Sequence, residues 1–437
     1  MRQKEARPRA IQALVDAFSL PDLRARLIFT FVILVIFRFI AHIPVPGVKL
    51  DMLRELFERS QLLGMLDLFS GGAMRNFSVA AMGVYPYITS SIVMQLLLPV
   101  IPRLQAIAQE GEAGRHKINM ITHWLTVPLA ALQGYAQLTI FRSEGAVATG
   151  GVLSTVAIIA TLTAGTMFLV WLGELITERG IGNGVSMIIF GGIVAGFLDM
   201  AGRGIIAGQQ NMGGLVTFII LAVLIVALIV VFTEAHRRIP VQYARSQMRG
   251  TRMYRQAGTT HIPLRVNMAG MIPLIFAMSF MLLPGQLASW FAAPAGQEPN
   301  FANSVMNLFD GTKVFYWALY FVLVLGATFF YTMIVFQQQD LAKVLQQQGG
   351  FVPGIRPGQP TNEYLNRVVT RLTAGGALFL AVVAVMPFIA DKVARVPEVL
   401  QVSLSSTGIL IMVGVALDTM KQMEAQLLMR RYEGFLR

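Results

Sequence analysis

The chain has 437 residues, of which 55% are hydrophobic and 13% are charged, and its mean hydropathy is +0.62. Soluble domains carry roughly a quarter charged residues, so this composition excludes an ordinary soluble enzyme. The lack of cysteine excludes disulfide scaffolds, thiolate metal sites and cysteine nucleophiles. The formal net charge of +12 favours contact with anionic membrane lipid or with an acidic partner.

The apolar residues occur in blocks of about twenty, the length that a helix needs to cross a bilayer core. A polar, basic stretch precedes the first block, which is therefore a poor match to a cleavable signal peptide. We predict an all-α membrane protein with ten transmembrane helices, near residues 27–42, 77–99, 119–141, 152–173, 183–198, 215–233, 268–290, 314–336, 372–390 and 399–417.

The connections between these blocks differ strongly in basic residues. Alternate connections, together with both chain ends, hold 25 of the 35 Lys and Arg residues. Because basic residues resist translocation, the pattern predicts that both termini lie in the cytoplasm.

The ten predicted helices divide into two halves with a shared motif. The second helix of the first half contains GVYPYI from Gly83 to Ile88, and its counterpart in the second half contains GMIPLI from Gly270 to Ile275. Five helices per half give the halves opposite topology, as in the inverted repeats of many transport proteins. The predicted segments are 1–26 (N-terminal segment), 27–198 (first half), 199–417 (second half) and 418–437 (C-terminal tail).

The membrane blocks carry none of the chemistry that a catalyst or an ion-coupled pump requires. Their cores contain no acidic residue, and the chain has no HExxH zinc motif and no phosphate-binding Walker sequence. We therefore predict no catalytic residue, no metal site and no cofactor, and we expect a partner to supply energy.

Three connections are longer than neighbouring helices need. Residues 43–76 include an apolar piece at 62–78, which is either an interfacial helix or a re-entrant segment. Residues 237–265 carry seven arginines and no acid, a pattern that suits lipid, RNA phosphate or an acidic protein. Residues 337–371 include a Pro- and Gly-rich turn that presents Arg356 at its tip.

At these segments the chain closely resembles the SecY family of bacterial protein-conducting channels. The resemblance covers nearly the whole chain, in the same order. It rests on HIPVPGV at 42–48, LFSGGAM at 68–74, MGVYPYITSSI at 82–92, ERGIGNGVSMIIF at 178–190, RRIPVQYA at 237–244, VNMAGMIPLIFA at 266–277 and FVPGIRPGQPT at 351–361.

The resemblance implies a clamshell of two halves around an hourglass pore in the bacterial cytoplasmic (inner) membrane. Its waist would be closed by a ring of aliphatic side chains, namely Val84, Ile88, Ile92, Ile189, Ile275 and Ile411. Residues 62–74, the plug segment, would fill the outer funnel at rest through Leu62, Leu63, Met65, Leu66, Leu68, Phe69, Gly71 and Gly72.

The resemblance also implies a lateral gate, through which signal sequences and transmembrane segments of nascent polypeptides reach lipid. The matching gate residues are Thr89, Gln133, Asn267 and Leu283. The two long cytoplasmic loops would receive the ribosome and the SecA ATPase, with Arg245, Arg249, Arg252, Arg255 and Arg356 as contacts. SecE and SecG are the implied accessory subunits.

Two functions fit inverted halves with bent helices. The leading prediction is a channel that passes unfolded secretory polypeptides, driven by SecA or by the translating ribosome. The alternative is a secondary transporter of a small solute, which would require a polar site at the membrane midplane.

Overall fold

The fold is described from a computed structural model, in which residues 20–59, 67, 70–143, 145–147, 151–208, 212–249, 252–291, 300–309, 313–339, 341–394 and 406–433 are described. The helices of the first part of the chain are α1 (Pro21–Ile40), α2 (Leu50–Arg59), α3 (Tyr85–Val100), α4 (Pro102–Gln109), α5 (Glu112–Ser143), α6 (Val152–Arg179), α7 (Gly184–Gly208) and α8 (Met212–Glu234). Further along are β1 (His236–Arg249), β2 (Arg252–Arg265), α9 (Ile272–Phe291), α10 (Phe301–Leu308), α11 (Val314–Gln339), α12 (Leu341–Gln347), β3 (Gly350–Phe351), α13 (Gln359–Ala394) and α14 (Ser406–Glu433).

The ends of several helices follow from local sequence. Pro21 begins α1. The first N–H groups of a helix have no partner within it, so the N–H that proline lacks costs no hydrogen bond there. The side chain of Asn183 accepts a hydrogen bond from the Ser186 amide and so caps α7. Pro99 and Pro102 flank the junction of α3 and α4, where the axes of Tyr85–Val100 and Pro102–Ala108 bend by 104°.

Within the described residues, three helical segments are long and apolar enough to cross a membrane: Val152–Arg179, Val314–Gln347 and Gln359–Met386. The bent pair Tyr85–Val100 and Pro102–Ala108 passes the same test when it is taken as one span. Shorter apolar helices occupy Gly184–Gly196, Val223–Glu234 and Ile272–Gly285.

The chain divides into two compact units. Unit 1 comprises Met1–Leu215, Leu282–Gly311 and Val396–Arg437, and in it α5 packs against α3 and α6 while α7 packs against α6 and α14. Helix α6 approaches the backbone before α3 so closely that a Cβ on Gly165 would lie 1.9 Å from the Val79 carbonyl oxygen.

Unit 2 comprises Val216–Met281 and Thr312–Arg395, and α11 packs along α13 in it. Strands β1 and β2 form a long antiparallel hairpin, and β3 adds to β1 at Gln242 and Tyr243, which gives the order β2-β1-β3. We call these strands, α12 and the first part of α13 the sheet subdomain. Its hydrophobic core contains Ile239, Val241, Leu264, Phe336, Ala342, Leu345, Val352, Leu365, Val368 and Val369.

The mostly helical class is confirmed, and the sheet departs from the all-helical prediction. His236–Arg249 and Arg252–Arg265 form strands because apolar side chains recur at every second position of β1, at Ile239, Val241 and Tyr243. That period places the three side chains on one face, where they pack against the core of the sheet subdomain.

Candidate channel and docking sites

The end of the plug segment contains a compact polar network. Asp67 is 3% exposed, its Oδ1 accepts hydrogen bonds from the Arg75 amide at 3.1 Å and the Ser70 hydroxyl at 3.2 Å, and its Oδ2 forms an ion pair with Arg75 Nε. The Ser70 hydroxyl in turn accepts from the Met74 amide at 3.0 Å. Burial raises the pKa of Asp67 above its ordinary value, although the Arg75 guanidinium acts in the opposite direction.

Two glycines of the plug segment allow a close approach to neighbouring helices. Gly71 and Gly72 have φ angles of +66° and +82°, which favour glycine. Arg38, near the end of α1, donates a hydrogen bond of 2.6 Å from Nη1 to the Gly71 carbonyl oxygen. The loop is therefore attached to α1 through its backbone. Leu62, Leu63, Met65, Leu66, Leu68 and Phe69 lie outside the described residues.

The predicted ring residues are mostly buried aliphatic side chains. In unit 1, Val84, Ile92, Ile189 and Ile411 are at most 4% exposed, and Ile88 is half-buried. Ile275 is buried in unit 2. Val84 is the N-cap of α3, so three of the six positions lie on or beside one helix.

The predicted gate residues have different polar environments. The Thr89 hydroxyl donates to the Tyr85 carbonyl one turn earlier in α3, which satisfies it within its own helix. Gln133 is buried on α5, and Leu283 is half-buried on α9. In unit 2, Asn267 Oδ1 is buried and has no hydrogen-bond partner among the described residues.

The predicted docking arginines lie in the sheet subdomain. In the register of β1 and β2, Arg245 pairs with Gln256, Arg255 pairs with Ser246 and Arg249 pairs with Arg252. The side chains of these four arginines lie outside the described residues. Arg356 is exposed between Gly354 and Gly358, which have φ angles of +83° and +105°. The Arg356 carbonyl oxygen accepts a hydrogen bond of 2.8 Å from the Thr361 hydroxyl, and this bond closes the turn.

Sequence reasoning missed two features of these sites. The Asp67–Arg75 ion pair was not predicted, because its residues are eight positions apart in a segment without regular periodicity. The joint core of the two long loops was also missed. Its signal was the alternation of apolar and polar residues from Ile239 to Tyr243 and again at Ile262 and Leu264.

Comparisons with known proteins agree over almost the whole chain. A model of the SecY family matches residues 78–420. The protein translocase subunit SecY of Halalkalibacterium halodurans is 43% identical over 433 residues, which cover 97% of this chain and 99% of that protein. The subunit of Thermus thermophilus is 40% identical over 437 residues, with 98% of each chain covered.

Solved structures share the fold at low sequence identity. The structure described as a protein conducting channel has a TM-score of 0.63 at 15% identity and covers 94% of this chain and 96% of its own. Sec61 in the canine ribosome-channel complex from the endoplasmic reticulum has a TM-score of 0.62 at 15% identity, with the same coverage. A family match over most of the chain, joined to relatives about 40% identical along their full length, leads to one conclusion. The chain belongs to the SecY family of protein translocase subunits.

Proposed function

We propose that this chain forms the path by which unfolded secretory polypeptides cross the cytoplasmic membrane and by which transmembrane segments enter lipid. The full-length relationship to translocase subunits carries this proposal. The protein is a channel subunit that conducts polypeptide and belongs to a family of channels rather than enzymes.

The proposed architecture has ten membrane-spanning helices in two inverted halves, 27–198 and 199–417, with both termini in the cytoplasm. Each of the ten apolar blocks overlaps a helix of the described residues, which is consistent with this count. The excess of basic residues in alternate connections supports the orientation in the bacterial inner membrane.

The constriction is proposed to be the aliphatic ring of Val84, Ile88, Ile92, Ile189, Ile275 and Ile411. Aliphatic side chains offer a passing polypeptide no hydrogen bond, and a dry constriction disfavours ions. The burial of five of these six residues is consistent with that role.

The resting closure is proposed to involve the plug segment. Among the described residues, Arg38 of α1 holds this segment through a short hydrogen bond to the Gly71 carbonyl oxygen, and movement of the loop would break that bond. The lateral gate is proposed to run past Thr89, Gln133, Asn267 and Leu283. A polar contact between gate helices would be weak enough to break repeatedly, since hydrogen bonds between membrane helices average about 0.6 kcal/mol.

The sheet subdomain is proposed to receive the ribosome and SecA through Arg245, Arg249, Arg252, Arg255 and Arg356. Its hydrophobic core would hold the backbone that carries these arginines in a fixed position. One structural neighbour is a channel in a ribosome complex, which supports the ribosome as a partner of this chain. SecE, SecG, signal sequences, nascent polypeptides and anionic lipid complete the proposed partners.

The test uses two introduced cysteines, because the natural chain contains none. One replaces Leu66 in the plug segment and the other replaces Ile411 in the proposed ring. We expect disulfide formation in the resting complex and its loss when a stalled secretory chain occupies the pore. Each single-cysteine variant is the control. An unchanged disulfide yield with and without the stalled chain, together with uptake of a small solute, would favour the secondary transporter instead.

A further inference from the structure

Four polar side chains from three helices of unit 1 form a chain of contacts. The Tyr87 hydroxyl on α3 donates to Asn119 Oδ1 on α5 at 3.3 Å. Asn119 Nδ2 donates to Glu174 Oε1 on α6 at 3.1 Å. His123 Nε2, one turn beyond Asn119, lies 3.0 Å from the same Glu174 oxygen. The rings of His123 and Tyr87 are also close, with centroids 5.5 Å apart.

Asn119 connects the two ends of this chain because it is both an acceptor and a donor. Its carbonyl oxygen faces Tyr87 and its amide nitrogen faces Glu174. Aspartate at this position would lose the donor and bring a second carboxylate to Glu174, and leucine would lose both bonds. A half-buried carboxylate between helices is stabilised by hydrogen-bond donors of this kind.

The position of Tyr87 connects this chain to the pore. Tyr87 directly precedes Ile88 and Thr89 on α3, and these residues belong to the proposed ring and the proposed gate. Val84 and Ile92 belong to the same helix and its cap. A bond that restrains Tyr87 therefore restrains the helix that carries half of the ring.

We propose that Tyr87, Asn119 and Glu174 are positioning residues that hold α3 against α5 and α6 in the resting channel. This inference rests on the proposed function, because it takes α3 as a wall of the pore. His123 lies at the far end, with Nε2 3.0 Å from the carboxylate oxygen that Asn119 binds. The relay sets how often the ring loosens, and it does not touch the passing polypeptide.

The expected effect is small enough to leave the fold intact. A hydrogen bond between membrane helices has an average strength that changes a two-state equilibrium by about threefold. Loss of the Tyr87 hydroxyl therefore raises the population of a loosened ring about threefold. Phenylalanine at this position keeps the aromatic ring beside His123, so packing is preserved.

The experiment measures resting ion flux through the complete channel complex, with its accessory subunits, in liposomes. We expect Tyr87→Phe to raise the flux about threefold, the effect of one such bond. Asn119→Leu loses both bonds and should raise the flux further. The double variant should add little to Asn119→Leu, because both changes break the same relay. Thr155→Val is the matched control. It removes the hydroxyl that Arg142 contacts at 2.8 Å between the same helices, α5 and α6, without involving α3.

Glu174 gives a second and independent comparison. Glu174→Gln keeps an oxygen that accepts from Asn119, so its flux should remain near that of the parent. Glu174→Leu loses the bond to Asn119 but keeps the Tyr87–Asn119 bond, so its flux should rise but stay below that of Asn119→Leu. Parental flux in Tyr87→Phe, or an equal rise in Thr155→Val, would overturn the proposal. Translocation of a secretory precursor is assayed in the same liposomes. If the parent complex does not translocate the precursor, the proposed function itself is wrong. If it does translocate the precursor, the flux measurements alone test the role of Tyr87, Asn119 and Glu174.

Discussion

Gly71 and Gly192 lie against each other with no room for a side chain on either. A Cβ on Gly71 would come within 2.5 Å of Gly192 Cα, and a Cβ on Gly192 would come within 2.7 Å of Gly71 Cα. Both obstructing atoms belong to backbone, which cannot rotate away as a side chain can. Helix α7 and the plug segment therefore meet at the closest distance that their backbones allow.

The first prediction concerns this contact. Gly192→Ala should destabilise the resting position of the plug segment by about 1–3 kcal/mol, the usual cost of overpacking. A cysteine replacing Met74, which is 1% exposed, should then react faster with a thiol reagent. Gly196→Ala is the control. Gly196 lies on the same helix, and no atom lies within 4 Å of a Cβ built on it. Equal labelling rates in the two alanine variants would contradict the prediction.

The second prediction concerns the pH dependence of stability at Asp67. Burial holds the pKa of this carboxyl above its ordinary value of 3.8, so the folded protein keeps a proton that the unfolded chain has lost. The free energy of unfolding should therefore fall as the pH rises from 3.8 to the folded-state pKa. Asp67→Asn removes this contribution, so the unfolding temperature of the parent should rise relative to that of the variant as the pH is lowered towards 3.8.

The partner of Asp67 provides the corresponding control. Arg75→Gln leaves the buried carboxylate without its counter-ion and should cost about 1–3 kcal/mol at neutral pH. Asp67→Asn in the same chain should recover most of that loss, because no charge then remains unpaired. Additive effects of the two substitutions would show that the residues do not interact energetically.

The third prediction concerns two adjacent glycines of α13. A Cβ on Gly376 would lie 2.6 Å from the Val266 carbonyl oxygen, whereas nothing lies within 4 Å of a Cβ on Gly375. Gly376→Ala should therefore displace Val266 and the neighbouring Asn267 and lower stability by about 1–3 kcal/mol. We expect altered export of precursors with defective signal sequences in Gly376→Ala and parental export in Gly375→Ala. If Gly376→Ala had the same stability and export as the parent, as Gly375→Ala should, the prediction would be wrong.

The fourth prediction concerns the core of the sheet subdomain. Leu365 is fully buried there, and Leu365→Ala should cost about 2–5 kcal/mol of local stability. Hydrogen exchange in β1 and β2 should become faster as a result. Leu378 lies on the same helix but is 55% exposed, so Leu378→Ala should leave the exchange of the strands unchanged. Slow exchange in both variants would mean that the strands do not depend on this core.

The fifth prediction concerns the exposed turn. Arg356→Glu reverses the charge at its tip while leaving the carbonyl that binds Thr361 in place. SecA-driven transport should fall strongly, with no change in thermal unfolding. Arg367→Glu makes the same charge change at an exposed position of α13 and is the control. Full transport in Arg356→Glu would remove this residue from the proposed docking surface.

The predicted apolar blocks overlap described helices, because hydropathy reports the apolar part of a helix. It misjudged ends for identifiable reasons. The block at 372–390 belongs to α13, which begins at Gln359, because its polar first turns lie on the sheet subdomain. The block at 77–99 becomes helical only at Tyr85, after Gly83 turns the chain with a φ of +56°.

The site was less predictable because its contacts join distant positions. Nothing in the sequence around Gly71 identifies Gly192 as its neighbour, and nothing around Tyr87 identifies Glu174 as the end of its polar chain. Such pairs depend on how helices cross. The sheet was predictable in principle, since the alternation from Ile239 to Tyr243 is typical of a strand with one buried face.

The shared core of the sheet subdomain has a consequence for building hybrid channels. Val241 and Leu264 come from one long loop, and Leu345 and Val352 come from the other, yet all four side chains fill the same cluster. A chimaera that borrows only one loop from a distant relative would join two half-cores with unmatched shapes. Transplanting both loops together would preserve the packing of this core. Specificity for a docking partner should therefore be transferred only when both loops are transplanted together.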